Sequence, residues 1–185
     1  MSVVRGNVWK LGHGIDTDII IPARHLVLPL EEMKHKAMEP LRPRFADEVS
    51  PGDIIIAGRN FGCGSSREQA PAVLREIGIA AIVAVSFARI FFRNAINLGI
   101  PVIECEAIYD QVEEGDEAEI DLAAGTIRVT GRDQVFSGSK LPKFLLDIIN
   151  DGGLIPHLAA ERSRASHEND SKNKGLQGIP GEGRK

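Results

Sequence analysis

Apolar and polar residues alternate with a period that changes several times along the chain. The apolar run at 53–57 is typical of a buried strand, and the apolar spacing at 72–77 is typical of a helix. The succession then continues: residues 79–85 predict a strand, 87–98 a helix that Ser86 caps, and 100–103 another strand. Strands that alternate with helices favour parallel pairing with right-handed crossovers.

The remaining periodic segments indicate antiparallel strands and one further helix. Residues 3–11 alternate weakly and predict an initial strand. Residues 117–122 and 126–130 alternate on either side of a short turn and predict a β-hairpin, and 144–150 predict a helix after a proline. The pattern therefore predicts an α/β domain, with a mixed sheet, flanking helices and a β-hairpin region.

Length and composition predict one folded domain and a tail. Of 185 residues, 43% are hydrophobic, and almost all of the long apolar runs precede residue 159. We predict a domain over 1–158 and a disordered polar tail over 159–185, where too few apolar groups are available to stabilise a fold. The net charge of −4 disfavours binding to nucleic acid or to an anionic membrane, because both require a basic face.

Cysteine content and the N-terminal residues indicate a reducing compartment. The two cysteines, Cys63 and Cys105, exclude a disulfide framework and are too few to bind an iron–sulfur cluster alone. The first twenty residues do not have the pattern of a signal peptide, and no apolar run reaches the length of a membrane span. We therefore expect a cytoplasmic protein that crosses no membrane.

The segment between the predicted strand at 53–57 and the next helix has the strongest pattern for chemistry. Its glycines allow a close backbone approach to a ligand. Ser65 and Glu68 have the spacing of a capping box, so a helix start that attracts anions is predicted at Ser65, with Arg67 adding a donor fork for a carboxylate. Pro71 then requires a kink, or a new helix start at that residue. A nucleotide-binding P-loop is excluded because no Gly-Lys-Ser/Thr follows the glycines.

Two further segments have a composition that suits a ligand site. Asp16 and Asp18 either bind a cation, hold a loop that faces the substrate, or cap a turn. The loop that begins at residue 23 is unusually apolar at residues 26–28, which either cover the core or line a pocket.

Three segments in register, 16–22, 60–68 and 86–95, are similar to motifs of the aconitase-family swivel domain. The likeness covers about residues 3–158 and is strongest to the small subunits of 3-isopropylmalate dehydratases. The resemblance implies a swivelling β/β/α fold, like domain 4 of aconitase. It also implies a hydro-lyase of leucine biosynthesis that is active only with a large subunit carrying a [4Fe-4S] cluster. This chain would then bind no metal itself and would act on a small dicarboxylic acid.

The resemblance also assigns roles to residues. Ser65 matches the family's catalytic base, and Ser66 and Arg67 match its carboxylate-binding residues. A serine is ordinarily too weak a base to remove a proton next to a carboxylate. Backbone N–H groups and Arg67 would favour its alkoxide form, and a cluster iron on the partner would act as a Lewis acid.

The substrate expectation rests on the apolar loop. The resemblance implies that this loop contacts the variable group of the substrate, where homoaconitase-type members carry an arginine. Here Leu26, Val27 and Leu28 are apolar, which favours the isopropyl group of isopropylmalate. His25 stands where an aromatic residue is frequent in the family, so 2,3-dimethylmalate stays open, as do the homoaconitase and citraconate or methylmalate reactions.

Two functions of other classes stay open at this point. The helix start alone is consistent with a non-catalytic anion-binding module in which Ser65 is only a cap. Cys63 near a helix start is also consistent with a thiol enzyme, because such a position lowers the pKa of a thiol.

Overall fold

The structure, a computed structural model, describes residues 3–164. These residues form seven strands: β1 (Val3–Leu11), β2 (Ile54–Ala57), β3 (Ala81–Ala84), β4 (Val102–Glu104), β5 (Glu117–Asp121), β6 (Thr126–Val129) and β7 (Val135–Ser137). They also form seven α-helices: α1 (Thr17–Ile20), α2 (Leu30–Met33), α3 (Phe45–Glu48), α4 (Gln69–Glu76), α5 (Arg89–Asn97), α6 (Lys143–Asn150) and α7 (154–164). Short 3-10 turns lie at Ala23–His25, Lys34–Lys36 and Tyr109–Gln111.

The strands form one mixed sheet in the order β4-β3-β2-β1-β5-β6-β7. The pairs from β1 through β4 are parallel, and the pairs from β1 through β5 and β6 to β7 are antiparallel. This arrangement confirms the predicted fold class, including the parallel series and the hairpin of β5 and β6. The pattern did not predict β7, because a strand of three residues is too short to show a period.

Strand alternation produces two hydrophobic clusters. Ile55 and Ala57 of β2 face the cluster that the helices cover, while Ile54 and Ile56 face a second cluster that contains residues of β5 and β6. The sheet must therefore curl, so that its antiparallel part packs against the other face of β2. All four residues of β2 are buried, which explains why this strand has a continuous apolar run.

The last described helix overlaps the predicted tail. Residues 154–164 are helical, so ordered structure extends six residues beyond the predicted start of the tail at 159. The rest of that predicted tail, 165–185, lies outside the described residues. Among residues 3–164, no helix has both the length and the apolar composition that a transmembrane span requires.

Candidate functional site

Three loops meet where the parallel strands end. Leu11 of β1 is paired with Ala57 of β2, and Ala57 with Ala84 of β3, so the following segments leave the sheet at one edge. We call residues 58–68, which follow β2, the serine loop. This common exit brings the serine loop between the segment after β1 and the segment after β3.

Backbone hydrogen bonds hold the first half of the serine loop on both sides. On one side Gly62 N–H donates to Ile15 O at 2.7 Å, and Thr17 N–H donates to Cys63 O at 2.8 Å. On the other side Phe61 N–H donates to Ser86 O at 2.9 Å. The loop is therefore fixed up to Cys63.

The segment after β3 makes a contact that the sequence pattern did not indicate. Ser86 was predicted to cap the following helix, but α5 begins at Arg89, three residues later. The Ser86 hydroxyl instead accepts a hydrogen bond from Asn60 N–H at 2.9 Å. Ser86 thus supports the serine loop rather than a helix, because the loop lies closer to its hydroxyl than the helix N–H groups do.

Gly62 must be a glycine for steric reasons. Its φ is +75°, and a Cβ at this position would lie 2.1 Å from Cγ of Phe91. Phe91 is buried and its ring packs against Phe61, with 5.2 Å between ring centroids. The loop backbone therefore lies directly on α5, which leaves no room for a side chain.

Ser65 and Ser66 are exposed, and they precede α4 rather than begin it. The predicted capping box is wrong: α4 starts at Gln69 after Glu68, whose side chain makes no capping hydrogen bond. Pro71 gives the reason. A helix begun at Ser65 would bring the proline ring against the carbonyl of Arg67, whereas the observed start places Pro71 in the first turn, where its missing N–H is not needed.

The tip of the serine loop offers free hydrogen-bond donors. Within residues 3–164, the backbone N–H groups of Gly64, Ser65 and Ser66 donate no hydrogen bond. The Ser65 carbonyl is engaged, because it accepts from Arg67 N–H at 2.8 Å. Successive N–H groups without acceptors can attract anions, so the predicted anion site stays a prediction that no longer depends on a helix start.

Arg67 links the serine loop to the segment after β1. Its Nη1 donates to Asp18 Oδ1 at 2.7 Å and to the Ile21 carbonyl at 3.2 Å, and 14% of its side chain is exposed. The hydrogen bond from Arg67 lowers the pKa of Asp18. Asp18 therefore positions Arg67, whereas Asp16 caps α1 by accepting from Ile19 N–H at 2.7 Å.

The apolar loop after Pro22 divides into residues that face the core and one that does not. Leu26 and Leu28 are half-buried against the core, while Val27 is 88% exposed. Within residues 3–164, no hydrogen bond or ion pair joins 26–28 to 65–67; the hydrogen bond from Arg67 reaches Ile21, which precedes this loop. The lining of a substrate pocket by these three residues stays a prediction.

Glu39 holds the start of this loop. Its carboxylate accepts from His25 Nε2 at 2.8 Å and from Arg24 Nη2 at 2.6 Å. Hydrogen bonds from His25, Arg24 and Lys36 lower the pKa of Glu39 to about 2. Glu39 thus holds two residues that precede Val27, and the Val27 side chain is exposed.

The two cysteines and the other metal-binding side chains do not form a metal site within residues 3–164. Cys63 is half-buried in the serine loop, and Cys105 is buried beyond β4, where burial raises the pKa of its thiol. No group of three or more His, Cys, Asp or Glu side chains in this part of the chain is arranged to hold a metal ion. These residues therefore do not fit an iron–sulfur cluster.

Comparison with known proteins relates the whole folded region to one family. The aconitase C-terminal domain model matches residues 38–107. The chain is 51% identical over 158 residues to the isopropylmalate/citramalate isomerase small subunit of Methanocaldococcus jannaschii, covering 85% of this chain and 94% of the relative. It is 50% identical over 151 residues to the 3-isopropylmalate dehydratase small subunit of Lachnospira eligens, covering 81% and 90%.

A third relative has another name, and a solved structure agrees with the fold. The methanogen homoaconitase small subunit of Methanothermobacter thermautotrophicus is 49% identical over 157 residues, covering 84% of this chain and 91% of the relative. The crystal structure of a 3-isopropylmalate dehydratase from Methanocaldococcus jannaschii superposes with a TM-score of 0.84 at 37% identity, covering 90% of this chain and 99% of that one. The chain belongs to the family of 3-isopropylmalate dehydratase-type small subunits, which carry the aconitase C-terminal domain.

Proposed function

We propose that this chain is the small subunit of a 3-isopropylmalate dehydratase, which interconverts 2-isopropylmalate and 3-isopropylmalate by dehydration and rehydration. The observation that carries the proposal is the exposed Ser65 at the tip of a loop whose first half is hydrogen-bonded on both sides. A reactive group on a rigid support but open to one side suits a site that a second polypeptide completes.

Ser65 is the proposed base. Its Oγ takes the proton from a substrate carbon next to a carboxylate while the hydroxyl leaves from the neighbouring carbon. On rehydration, the carbon that lost the proton receives the hydroxyl of water, and the carbon that lost the hydroxyl receives a proton. Donors among the N–H groups at residues 64–66, none of which has an acceptor within residues 3–164, lower the cost of the alkoxide. Ser66 and Arg67 bind a substrate carboxylate beside it.

The second polypeptide is a large subunit that carries a [4Fe-4S] cluster. When bound there, the cluster supplies the Lewis acid that assists departure of the substrate hydroxyl. The described part of this chain has no group of three or more His, Cys, Asp or Glu side chains that could hold a metal ion by itself. A cytoplasmic location is part of the proposal, because both cysteines are free thiols and a reducing compartment keeps them so.

Val27 supports the choice of substrate. Val27 is apolar and 88% exposed, so it is available to cover an isopropyl group when the site closes. A carboxylate at that position would find no basic partner in residue 27. We therefore rank 3-isopropylmalate above homoaconitate, citramalate and 2,3-dimethylmalate.

The test is reconstitution with a cognate large subunit, with the unsaturated intermediate followed by its absorbance. We expect turnover of 3-isopropylmalate, and we expect Ser65→Ala to reduce it roughly 100- to 10,000-fold, the usual contribution of a general base. Association of the subunits should not change. Ser50→Ala removes another exposed serine hydroxyl, before β2, and serves as the matched control.

Three outcomes would contradict the proposal in different ways. Full turnover by Ser65→Ala would place the base elsewhere. Loss of turnover in Cys63→Ser with an active Ser65→Ala would indicate a thiol enzyme. Saturable binding of a dicarboxylate by the isolated chain, without turnover after addition of any large subunit, would indicate an anion-binding module.

A further inference from the structure

A buried hydroxyl without a partner lies against the serine loop. Thr17 is 2% exposed, and its Oγ1 is the buried side-chain polar atom that finds no hydrogen-bond partner within residues 3–164. A buried hydroxyl without a partner costs free energy. An unsatisfied group in a folded protein therefore requires an explanation.

Local structure does not use this hydroxyl. Thr17 is the first residue of α1, and the capping position before it is held by Asp16, whose carboxylate already accepts the N–H of Ile19. A threonine inside a helix can donate to a carbonyl three or four residues earlier, but no helical carbonyl precedes the first residue. The Thr17 hydroxyl is thus free for a tertiary contact.

The hydroxyl is directed at the residue before Ser65. A Cβ built on Gly64 would lie 3.1 Å from Thr17 Oγ1, and Thr17 N–H already donates to the Cys63 carbonyl at 2.8 Å. The next two N–H groups of the loop, those of Gly64 and Ser65, are without acceptors within residues 3–164. The unused acceptor is therefore close to Gly64, whose N–H and that of the following Ser65 are unused donors within residues 3–164.

We propose that Thr17 is a positioning residue: its hydroxyl accepts a hydrogen bond from the N–H of Gly64 or Ser65 when substrate occupies the site, and so holds Ser65 in its reactive position. Gly64 has no side chain, which allows the loop backbone to move the short distance onto Thr17. The inference rests on the proposed function of Ser65 and gives a role to a residue to which the sequence analysis assigned none.

Thr17→Val separates this role from a structural one. Valine has nearly the shape of threonine and lacks the hydroxyl, so we expect the melting temperature of the chain to stay the same or rise, because an unsatisfied group is removed. We expect kcat of the reconstituted enzyme to fall roughly 10- to 100-fold, the effect of a misplaced catalytic group. KM should change less than about threefold, because substrate contacts are unaltered.

Two further variants sharpen the experiment. Thr17→Ser keeps the hydroxyl and should retain kcat within about threefold of the unaltered enzyme. This result would show that the fall in kcat of Thr17→Val is due to the missing hydroxyl and not to a change in shape. Thr130→Val makes the same chemical change at an exposed threonine after β6 and should leave kcat and KM unchanged.

Each other result would overturn the inference. Unchanged kcat in Thr17→Val would mean that the hydroxyl has no part in the reaction. A lowered melting temperature would mean that it has a partner in the folded chain, and a raised KM at constant kcat would assign it to substrate binding. An inactive unaltered enzyme would instead overturn the proposed function, and this inference with it.

Discussion

Among residues 3–164, two polar side chains are buried, and only one of them has hydrogen-bond partners. Asp53 lies at the start of β2 and is 4% exposed; Thr17 lies at the other end, beside the loop that follows β2, and is 2% exposed. Asp53 accepts hydrogen bonds from Trp9 Nε1 at 2.8 Å, Ser50 N–H at 2.8 Å and Asn7 Nδ2 at 3.3 Å. Thr17 Oγ1 has no partner within residues 3–164.

We interpret this difference as one between a residue that stabilises the fold, Asp53, and a residue that serves the proposed site, Thr17. A fully bonded buried carboxylate contributes to the fold, because its loss would leave three donors unsatisfied. An unbonded buried hydroxyl costs free energy, so it does not stabilise the fold. The polar group at the end of the sheet where β2 starts is thus satisfied, and the one near the end where β2 stops is not, which agrees with the ligand site proposed there.

The strongest test of this separation is Asp53→Ala. We expect a loss of about 3 kcal/mol in the free energy of unfolding, because the indole N–H of Trp9 and the N–H of Ser50 lose their acceptor in a buried place. Urea denaturation of the isolated chain measures it. Turnover per folded molecule in the reconstituted enzyme should not change.

The control for Asp53→Ala is Asp133→Ala, which removes an exposed carboxylate and should alter stability by less than about 0.5 kcal/mol. The comparison of the two ends would fail if Asp53→Ala lowered kcat per folded molecule as strongly as Thr17→Val does.

Arg67→Lys should have a smaller effect, and on substrate binding, not on the free energy of unfolding. Lysine keeps the charge but loses the planar fork that bonds Asp18, Ile21 O and the proposed substrate carboxylate. We expect KM for 3-isopropylmalate to rise about tenfold, which corresponds to about 1.4 kcal/mol of one charge-assisted hydrogen bond. Stability should change by less than about 1 kcal/mol.

Steady-state kinetics and urea denaturation measure both quantities for Arg67→Lys. Arg44→Lys alters an exposed ion pair with Glu48, at 3.5 Å, and should leave KM as it is. A large loss of stability with unchanged KM in Arg67→Lys would show that Arg67 belongs to the stabilising end of the molecule.

The smallest expected effect concerns Glu39, which holds the loop before Val27. Its pKa is lowered from 4.5 to about 2, chiefly by His25, so the ionised carboxylate stabilises the folded chain above about pH 4.5. This contribution is lost as the pH falls from about 4.5 to about 2. Glu39→Gln should be slightly less stable than the unaltered chain at pH 6; the difference should be smaller at pH 3 and should vanish near pH 2, measured by urea midpoints. A constant difference across this range would exclude the titration of Glu39 as the cause.

The sequence pattern predicted most of the fold because β2 and β3 lie inside the sheet and are fully buried. Strands that are buried on both faces have continuous apolar runs, and the helices between them have a clear amphipathic spacing. Boundaries were less accurate, as at α5, which starts at Arg89 and not directly after Ser86. The Ser86 hydroxyl, which the local spacing predicted to cap the helix, accepts a hydrogen bond from Asn60 N–H instead.

The candidate site was predicted in part. Motif resemblance selected Ser65, Ser66 and Arg67, and the structure places the two serines at an exposed tip and Arg67 half-buried below it. The predicted helix start at Ser65 was wrong, since Pro71 allows α4 to begin only later. The partnership of Arg67 with Asp18 spans 49 residues of sequence and left no local signal.

The sequence by itself determined the order of strands and helices, the membership of a family and the residues that can do chemistry. These depend on composition and on spacing over a few residues, which one chain displays directly. Only the tertiary structure decided which of those groups are satisfied. Whether Asp53 or Thr17 has a hydrogen-bond partner depends on segments that are far apart in sequence and close in space. A local sequence pattern cannot show which distant segments meet.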